Sequence, residues 1–549
     1  MVKFKKFKPL RFGTSGLRAL VTEMTDMESY INTRGFIEYL IETGNINRGD
    51  TILVAGDLRF STDRIMEAVA KAIEDSGCKA DNCGKIPSPS VSYYGILVGC
   101  ASIMITGSHI PEDRNGIKFN KRRGEVLKSD EKGILNNVAK IRKEEPKKSS
   151  ESLFAENGSF KVRPSLGPVN EKAKEAYLQR YLEVFSSDCL AGLKLVLYQH
   201  SAVGRDIIQE IFKGLGAEVI PVSRSEKFVP VDTENVSEDT RVLLRELAKK
   251  DKPYAIISTD GDSDRPLLAD EEGEFLPGDK LGALTSLYLK PDFAAIPISA
   301  NDAVVSALRD KGIKMRQTKI GSPYVIKAMN DELTENPAAK VVSWEVNGGF
   351  LTGSDWILND KRLKALPTRD AVLPLLTTLL LAKEENKSVS ELIKTSLPSR
   401  YTHADLLKEY PQEVSQQIIK SIAPKKSTIA EVNFAEEEVK VAYLDGRAEE
   451  INPEHPLASS MRKTRERLSR EYFRSELGFS PISAMNFIDG IRIVFANNEV
   501  SHLRPSGNAP EFRNYATANT KMRAEEIVRI GLENILPKMK EDIIKNGKE

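Results

Sequence analysis

The chain is poor in cysteine. Cys78, Cys83, Cys100 and Cys189 are all it has in 549 residues. None stands in a C-x-x-C pair, and no His-rich spacing accompanies them. A disulfide framework and a cysteine zinc site are therefore not what organises the fold. Free thiols in a reducing compartment are expected instead. An excess of one charge is also lacking. The 80 basic and 79 acidic side chains leave a formal net charge of +1, which gives no electrostatic footprint for nucleic acid or an anionic membrane surface. No apolar run approaches the ~20 residues of a membrane-spanning helix. The basic opening MVKFKKFKPL is not followed by the apolar stretch of a secretory signal. These absences describe a cytoplasmic protein without a nucleic-acid or membrane partner.

What is present fits a large globular chain: 40% hydrophobic and 29% charged residues. At roughly 100–200 residues per domain, three to four domains are expected, large enough to bury cores without staples. One pattern recurs: an apolar run, a short polar loop, then an amphipathic segment. TILVAG at 51–56 reads as a buried strand and Phe60–Gly77 as a helix with a glycine stop. SIMI at 102–105, KLVLY at 194–198, YAII at 254–257, Ala294–Ile298, Ile313–Thr318 and Val341–Trp344 read as further strands. Strands alternating with helices predict parallel α/β layers. The pattern fills three blocks, 1–165, 166–290 and 291–405. Glu144–Ser152 and Ala423–Thr428 read as polar surface or linker. The last block, 406–549, differs: Ile488–Phe495 and Glu499–Leu503 suggest a hairpin and Lys521 onward a helix, giving a smaller α+β domain.

Chemistry in parallel α/β sheets collects beyond the carboxyl ends of the strands; polar motifs fall at that position in each of the three blocks, and two more flank them. Thr106-Gly107-Ser108-His109 follows SIMI, with Lys118 nearby. A serine there can present its hydroxyl as a nucleophile, with His109 and Lys118 adjusting protonation. A Gly/Pro-rich turn with a capping serine gives the same string. Asp260, Asp262 and Asp264 alternate before Arg265. In an extended segment, carboxylates at i, i+2 and i+4 share one side, which suits a hard cation such as Mg²⁺; a solvated acidic turn is the plainer alternative. Arg504-Pro505-Ser506-Gly507-Asn508, with Arg513 behind, offers donors for a phosphate that is held but not transferred. Glu345, Asn347 and Gly348 follow a strand, and a carboxylate beside an amide suits vicinal sugar hydroxyls. The fifth, Arg11 to Arg18, is glycine-rich, and Arg18 can meet a phosphate.

In this order the motifs resemble those of one family, the α-D-phosphohexomutases, over essentially the whole chain from Arg11 to Arg513. The resemblance implies three related α/β domains with mixed or parallel sheets and a smaller C-terminal α+β domain around a central cleft. Ser108 would be the phosphorylated serine and Lys118 a general base, with His109, Arg265 and Arg18 assisting. Asp260, Asp262 and Asp264 would hold one Mg²⁺ together with an oxygen of the Ser108 phosphate. Glu345, Asn347 and Gly348 would read the sugar. Lys319, in a Thr-Lys-Ile-Gly element, would join Arg504, Ser506, Gly507, Asn508 and Arg513 in binding substrate. The implied reaction interconverts hexose 1-phosphate and hexose 6-phosphate through a sugar bisphosphate, in a monomer or homodimer. The chain departs from the family at Gly107 and Ile110, where Ala and Asn are frequent. It departs again at Asn347, Gly349 and Asn508, where Ser, His and Thr are usual. Leu366-Pro367-Thr368-Arg369-Asp370 and the Asn-Gly-Gly-Phe loop look most like bacterial phosphomannomutase-type members, so mannose phosphates are expected before glucose or glucosamine phosphates. A serine phosphatase and a sugar-phosphate-binding protein without catalysis are the competing classes.

Overall fold

The structure, a computed structural model, describes residues 9–13, 16–145, 152–435, 438–506 and 510–546. It divides into two compact units. The first holds the described residues up to Ile296 with Leu308–Arg316 and Gly321–Ser396. The second holds Pro297–Ala307, Gln317–Ile320 and the described residues from Leu397 onward.

Three sheets repeat one arrangement. In the first, Thr51–Gly56 runs parallel to Lys79–Lys85 and to Ala101–Ile105, and Arg114–Lys121 then returns antiparallel. In the second, Lys194–His200 runs parallel to Glu218–Arg224 and Ala255–Thr259, and Pro266–Ala269 returns antiparallel. In the third, Phe293–Pro297 runs parallel to Val341–Trp344, and Phe350–Thr352 and Leu366–Asp370 follow antiparallel. ASIMI, AIIST and VVSW are buried at every position, as strands covered on both faces must be. Each is the last parallel strand before the chain reverses. The reversals are the segments 106–113, 260–265 and 345–349. Three polar motifs from three blocks thus occupy the same place in three like sheets. The helix expected from Phe60 begins at Thr62, after Ser61, and Phe60 is exposed.

The C-terminal part is richer in strand than its hairpin suggested. The hairpin is there, as Ile491–Phe495 against Val500–Pro505. It lies inside an eight-stranded sheet, the largest of the described residues, which runs from Tyr401–Leu407 at one edge to Ala448–Ile451 at the other. Its core gathers Val432, Val441, Met485, Ile493, Leu503, Phe512 and Ile527. No helix among the described residues is long and apolar enough to cross a membrane.

Candidate active site

Ser108 lies three residues beyond Ala101–Ile105 with its backbone at φ 55°. A left-handed non-glycine residue costs about 1 kcal/mol or more and persists where its surroundings over-determine it. Here they do. Thr106 Oγ1 accepts from the Ser108 N–H at 2.7 Å. Arg59 spans the loop from beneath. Its Nη2 donates to the carbonyls of Ser108 at 2.9 Å and Ile110 at 2.5 Å, and its Nη1 to those of Pro111 at 2.7 Å and Arg114 at 2.9 Å. Asp57 anchors Arg59 from behind at 3.2 Å, and the Phe228 ring lies 3.9 Å from the guanidinium. A Cβ at position 107 would come within 2.6 Å of that guanidinium, so this path of Arg59 requires Gly107. Sequence reasoning missed Arg59. The Asp57-x-Arg59 pair directly after a buried strand was its one visible signal.

The Ser108 hydroxyl is fully buried and donates to Asp260 Oδ2 at 2.5 Å. It therefore sits inside the aspartate loop. That loop is not the extended segment expected. It is a tight turn closed by Asp260 N–H to Arg265 carbonyl at 3.0 Å and Ser263 N–H to Asp260 carbonyl at 3.2 Å, with Ser263 at φ 57°. The three carboxylates converge because the turn curls them inward, not because strand alternation aligns them. One oxygen from each lies within 4.8 Å of the others. Glu271 stands twelfth from Asp260, as an EF-hand glutamate would, but it lies beyond Pro266–Ala269 and accepts from Ser390 at 2.7 Å. Its carboxylate thus serves Ser390, and the loop is no EF-hand.

The charges here are unevenly matched. Lys118 Nζ lies 2.6 Å from Asp262 Oδ2 and 2.5 Å from Asp264 Oδ2. Burial works against its charge, but these two carboxylates outweigh it and hold Lys118 above its usual pKa. In this arrangement Lys118 is a cation and has no free lone pair to act as a base. Asp262, countered by Lys118 and by Ser88 at 2.5 Å, stays below the carboxylate range despite its burial. Asp260 is pushed well above it by burial and by Asp262 and Asp264. The buried Oδ1 atoms of Asp262 and Asp264 have no hydrogen-bond partner. Orphaned buried carboxylate oxygens and a carboxyl forced toward protonation are what a site short of positive charge looks like. The donor set, three hard oxygens, fits a divalent ion such as Mg²⁺.

Arg265 closes the other side. Its Nη1 donates to His109 Nδ1 at 2.9 Å, and its Nε lies 3.7 Å from Asp264 Oδ1. His109, 3.3 Å from Ser108 Oγ, is drawn down to about 2 by burial and by Arg265 and Arg18, so its imidazole stays neutral. Arg18 lies on Gly16–Leu20, opposite Gly116 and two residues from Lys118 in register, within electrostatic range of Arg265 and Asp262.

The sugar-loop residues join the same unit. Glu345 is buried, and its carboxylate accepts from Arg369 Nε at 2.5 Å. Asn347 spends its side-chain oxygen on the Gly349 N–H at 3.0 Å, while its own carbonyl accepts from Thr233 at 2.8 Å. Gly348 turns at φ 85°. Arg369 was quoted in the sequence as part of a family-like string, with no role; its partner is visible only in three dimensions.

The second unit holds the remaining candidates. Asp489 Oδ2 accepts from Arg504 Nε at 2.8 Å and from the Ile320 N–H at 3.1 Å, which brings the Lys319 segment beside Arg504. Lys319 itself is exposed. The Ser506 N–H donates to the Glu511 carbonyl at 2.9 Å, and Arg513 pairs with the Glu511 side chain at 3.2 Å. Gly507 and Asn508 lie outside the described residues.

A buried serine set among converging carboxylates and fixed cations, at the strand ends of repeated α/β sheets, defines an enzyme of phosphoryl transfer. Comparison with known proteins makes this particular. Profiles described as Phosphoglucomutase/phosphomannomutase, alpha/beta/alpha domains I, II and III, match residues 9–145, 175–273 and 277–400. A phosphomannomutase of Salmonella muenchen is 38% identical over 532 residues, covering 96% of each chain. A phosphomannomutase of Sinorhizobium fredii is 36% identical over 524 residues, covering 95% of this chain and 98% of that one. A crystal structure of a phosphoglucomutase/phosphomannomutase family protein from Burkholderia thailandensis shares the fold with a TM-score of 0.64 at 17% identity, covering 97% of both chains. The chain belongs to the phosphoglucomutase/phosphomannomutase family.

Proposed function

We propose that this enzyme interconverts hexose 1-phosphates and hexose 6-phosphates, mannose phosphates first among them, through a phosphate carried on Ser108. The observation that carries the reading is the Ser108 hydroxyl held at 2.5 Å by Asp260, within a loop of three carboxylates. The preference for mannose leans on the two phosphomannomutase relatives.

In the resting form Ser108 bears phosphate. A sugar hydroxyl oxygen bonds to phosphorus as the Ser108 Oγ–P bond breaks, giving a sugar bisphosphate. The reoriented sugar then returns its other phosphate to Ser108. Asp260, Asp262 and Asp264 would hold a divalent ion such as Mg²⁺, which would supply Lewis-acid stabilisation of the transferring phosphoryl group. Arg265 adds a permanent charge beside that group. The hydroxyl proton goes to Lys118 or a neighbouring group; Lys118 accepts it only after releasing its own proton to solvent, which the carboxylates it now neutralises oppose until their charge is met otherwise. His109 links Arg265 and the Ser108 side chain, with its Nδ1 2.9 Å from Arg265 Nη1 and 3.3 Å from Ser108 Oγ. Glu345 and Asn347 read the sugar. Arg504, Ser506, Gly507, Asn508, Arg513 and Lys319 take the phosphate that is not moving. The setting is cytoplasmic, and the chain acts as a monomer or homodimer.

The test combines intact-mass analysis with a coupled assay on mannose, glucose and glucosamine phosphates. Ser108→Ala should lose the phosphate adduct and at least about a thousandfold of turnover. Full turnover in that variant would sink the scheme. Release of free phosphate without isomerised product would favour a phosphatase.

A further inference from the structure

Gly349 and Arg369 occupy each other's space. A Cβ added at position 349 would lie 2.6 Å from Arg369 Cδ, 2.8 Å from Cγ and 2.9 Å from Cβ. Contacts under about 3 Å with the root of a side chain cannot be relieved by swinging its tip. The glycine, where a histidine is common in the family, is therefore the condition for the path the arginine takes.

That path ends between two loops. Arg369 is 6% exposed, and its Nε donates to Glu345 Oε2 at 2.5 Å. Its Nη1 lies 3.9 Å from Asp264 Oδ2 in the carboxylate loop. Glu345 has no other side-chain hydrogen bond among the described residues, so Arg369 alone fixes where its carboxylate stands. The terminal nitrogens Nη1 and Nη2 of Arg369 carry no hydrogen bond within the protein among those residues. A guanidinium held by one edge keeps a second edge of N–H donors for a ligand.

We infer that Arg369 is a specificity-determining residue of the sugar site. It positions Glu345 as an acceptor and sets its own free N–H donors beside it. Vicinal sugar hydroxyls each donate and accept, and a fixed acceptor–donor pair discriminates the orientation of one hydroxyl relative to its neighbour. A site built to pair a hydroxyl rejects an epimer more sharply than an apolar pocket does. Gly349 is the second half of the device, since any side chain there displaces Arg369. This inference rests on the mutase reading above.

The experiment compares kcat/KM for mannose 1-phosphate and glucose 1-phosphate in the unaltered enzyme, Arg369→Lys, Arg369→Ala and the double variant Gly349→Ala/Arg369→Ala. Lysine keeps the charge but lacks the fork. Arg369→Lys should lose at least about thirtyfold on the preferred sugar and much less on the other, so the ratio between sugars narrows toward one. The double variant clears the contacts with Cδ and Cγ and leaves only the 2.9 Å approach to the Cβ that alanine keeps. It should fold, retain the Ser108 phosphate by intact mass, and stay indifferent to the sugar. Equal losses on both sugars, or a ratio within about twofold of the unaltered enzyme, overturn the specificity role and leave Arg369 a packing residue. Absence of isomerisation by the unaltered enzyme overturns the mutase reading, and this inference with it.

Discussion

Arg504 and Arg513 stand directly opposite each other on neighbouring antiparallel strands, Val500–Pro505 and Phe512–Ala518. Like charges at facing positions destabilise a sheet by a few tenths of a kcal/mol to about 1 kcal/mol. Each arginine has one acidic partner, Asp489 for Arg504 and Glu511 for Arg513. The Arg513 Nε is buried and unpartnered. A pair so placed suits an anion bridging both.

Arg504→Ala and Arg513→Ala should each raise KM for the hexose phosphate about tenfold or more. kcat should change less, because the phosphate they hold is bound alike in ground and transition state. Steady-state kinetics with saturating sugar bisphosphate measures this. A fall in kcat with unchanged KM would remove the arginines from substrate binding.

A divalent cation held by Asp262 and Asp264 would compete there with Lys118, which pairs with both. Lys118→Met should therefore bind Mg²⁺ more tightly in calorimetric titration while turnover falls. Without metal, the same variant strips Asp262 of its lysine and leaves Asp264 only the more distant Arg265 and Arg369, at 3.7 and 3.9 Å. It should be about 3 kcal/mol less stable than the parent, the usual cost of stripping one partner from a buried ion pair. Millimolar Mg²⁺ should return most of that, whereas the parent gains less. A variant as stable as the parent in chelator would contradict the charge deficit.

His502 is fully enclosed in the eight-stranded sheet. Its Nε2 lies 2.6 Å from the Asp489 carbonyl, and its Nδ1 has no partner. Burial, then Arg492 and Arg504, lower its pKa to about 4. An unfolded histidine takes up its proton near 6.5. Between about 4 and about 6.5 the unfolded chain carries the extra proton, so stability rises with pH across that window. Each unit below 6.5 removes about 1.4 kcal/mol. Hydrogen-exchange protection of the sheet, corrected for intrinsic rates, should fall from pH 7 to pH 5. His502→Gln should flatten the slope. An unchanged slope in that variant would mean that other groups set it.

Much of the catalytic frame is legible in the sequence because the buried parallel strands are mostly apolar and carry no charged residue. ASIMI, AIIST and VVSW declare themselves, and whatever polar string follows each is placed at a strand end. Ser108, the three aspartates and Glu345 follow from that. What is not legible is contact at long range. Arg59 and Arg369 are ordinary arginines in the string, and apart from Asp57 their hydrogen-bond partners lie tens of residues away. The curl of the aspartate turn depends on Ser263 adopting a left-handed backbone, which serine composition does not announce. The extra strands of the C-terminal sheet are masked for another reason. Tyr401–Leu407 lies at an exposed edge without apolar alternation, and AEEI at 448–451 has the composition of a helix yet pairs as an edge strand.

The strand Leu366–Asp370 bears on how this chain is made. Three successive side chains reach three distant segments: Thr368 to Glu125 at 2.7 Å, Arg369 to Glu345, and Asp370 to Tyr177 at 2.6 Å and to Tyr181. A nascent chain emerges from its N-terminus. Glu125, Tyr177 and Tyr181 are thus synthesised some two hundred residues before the strand that satisfies them. Until residue 370 has left the ribosome, the hydroxyls of Tyr177 and Tyr181 lack Asp370, and Glu125 has Ser322 but lacks Thr368. Contacts so far apart in sequence form slowly. The contacts of Thr368, Arg369 and Asp370 therefore cannot form until this strand is made, and no N-terminal fragment ending before it holds the Arg369–Glu345 pair.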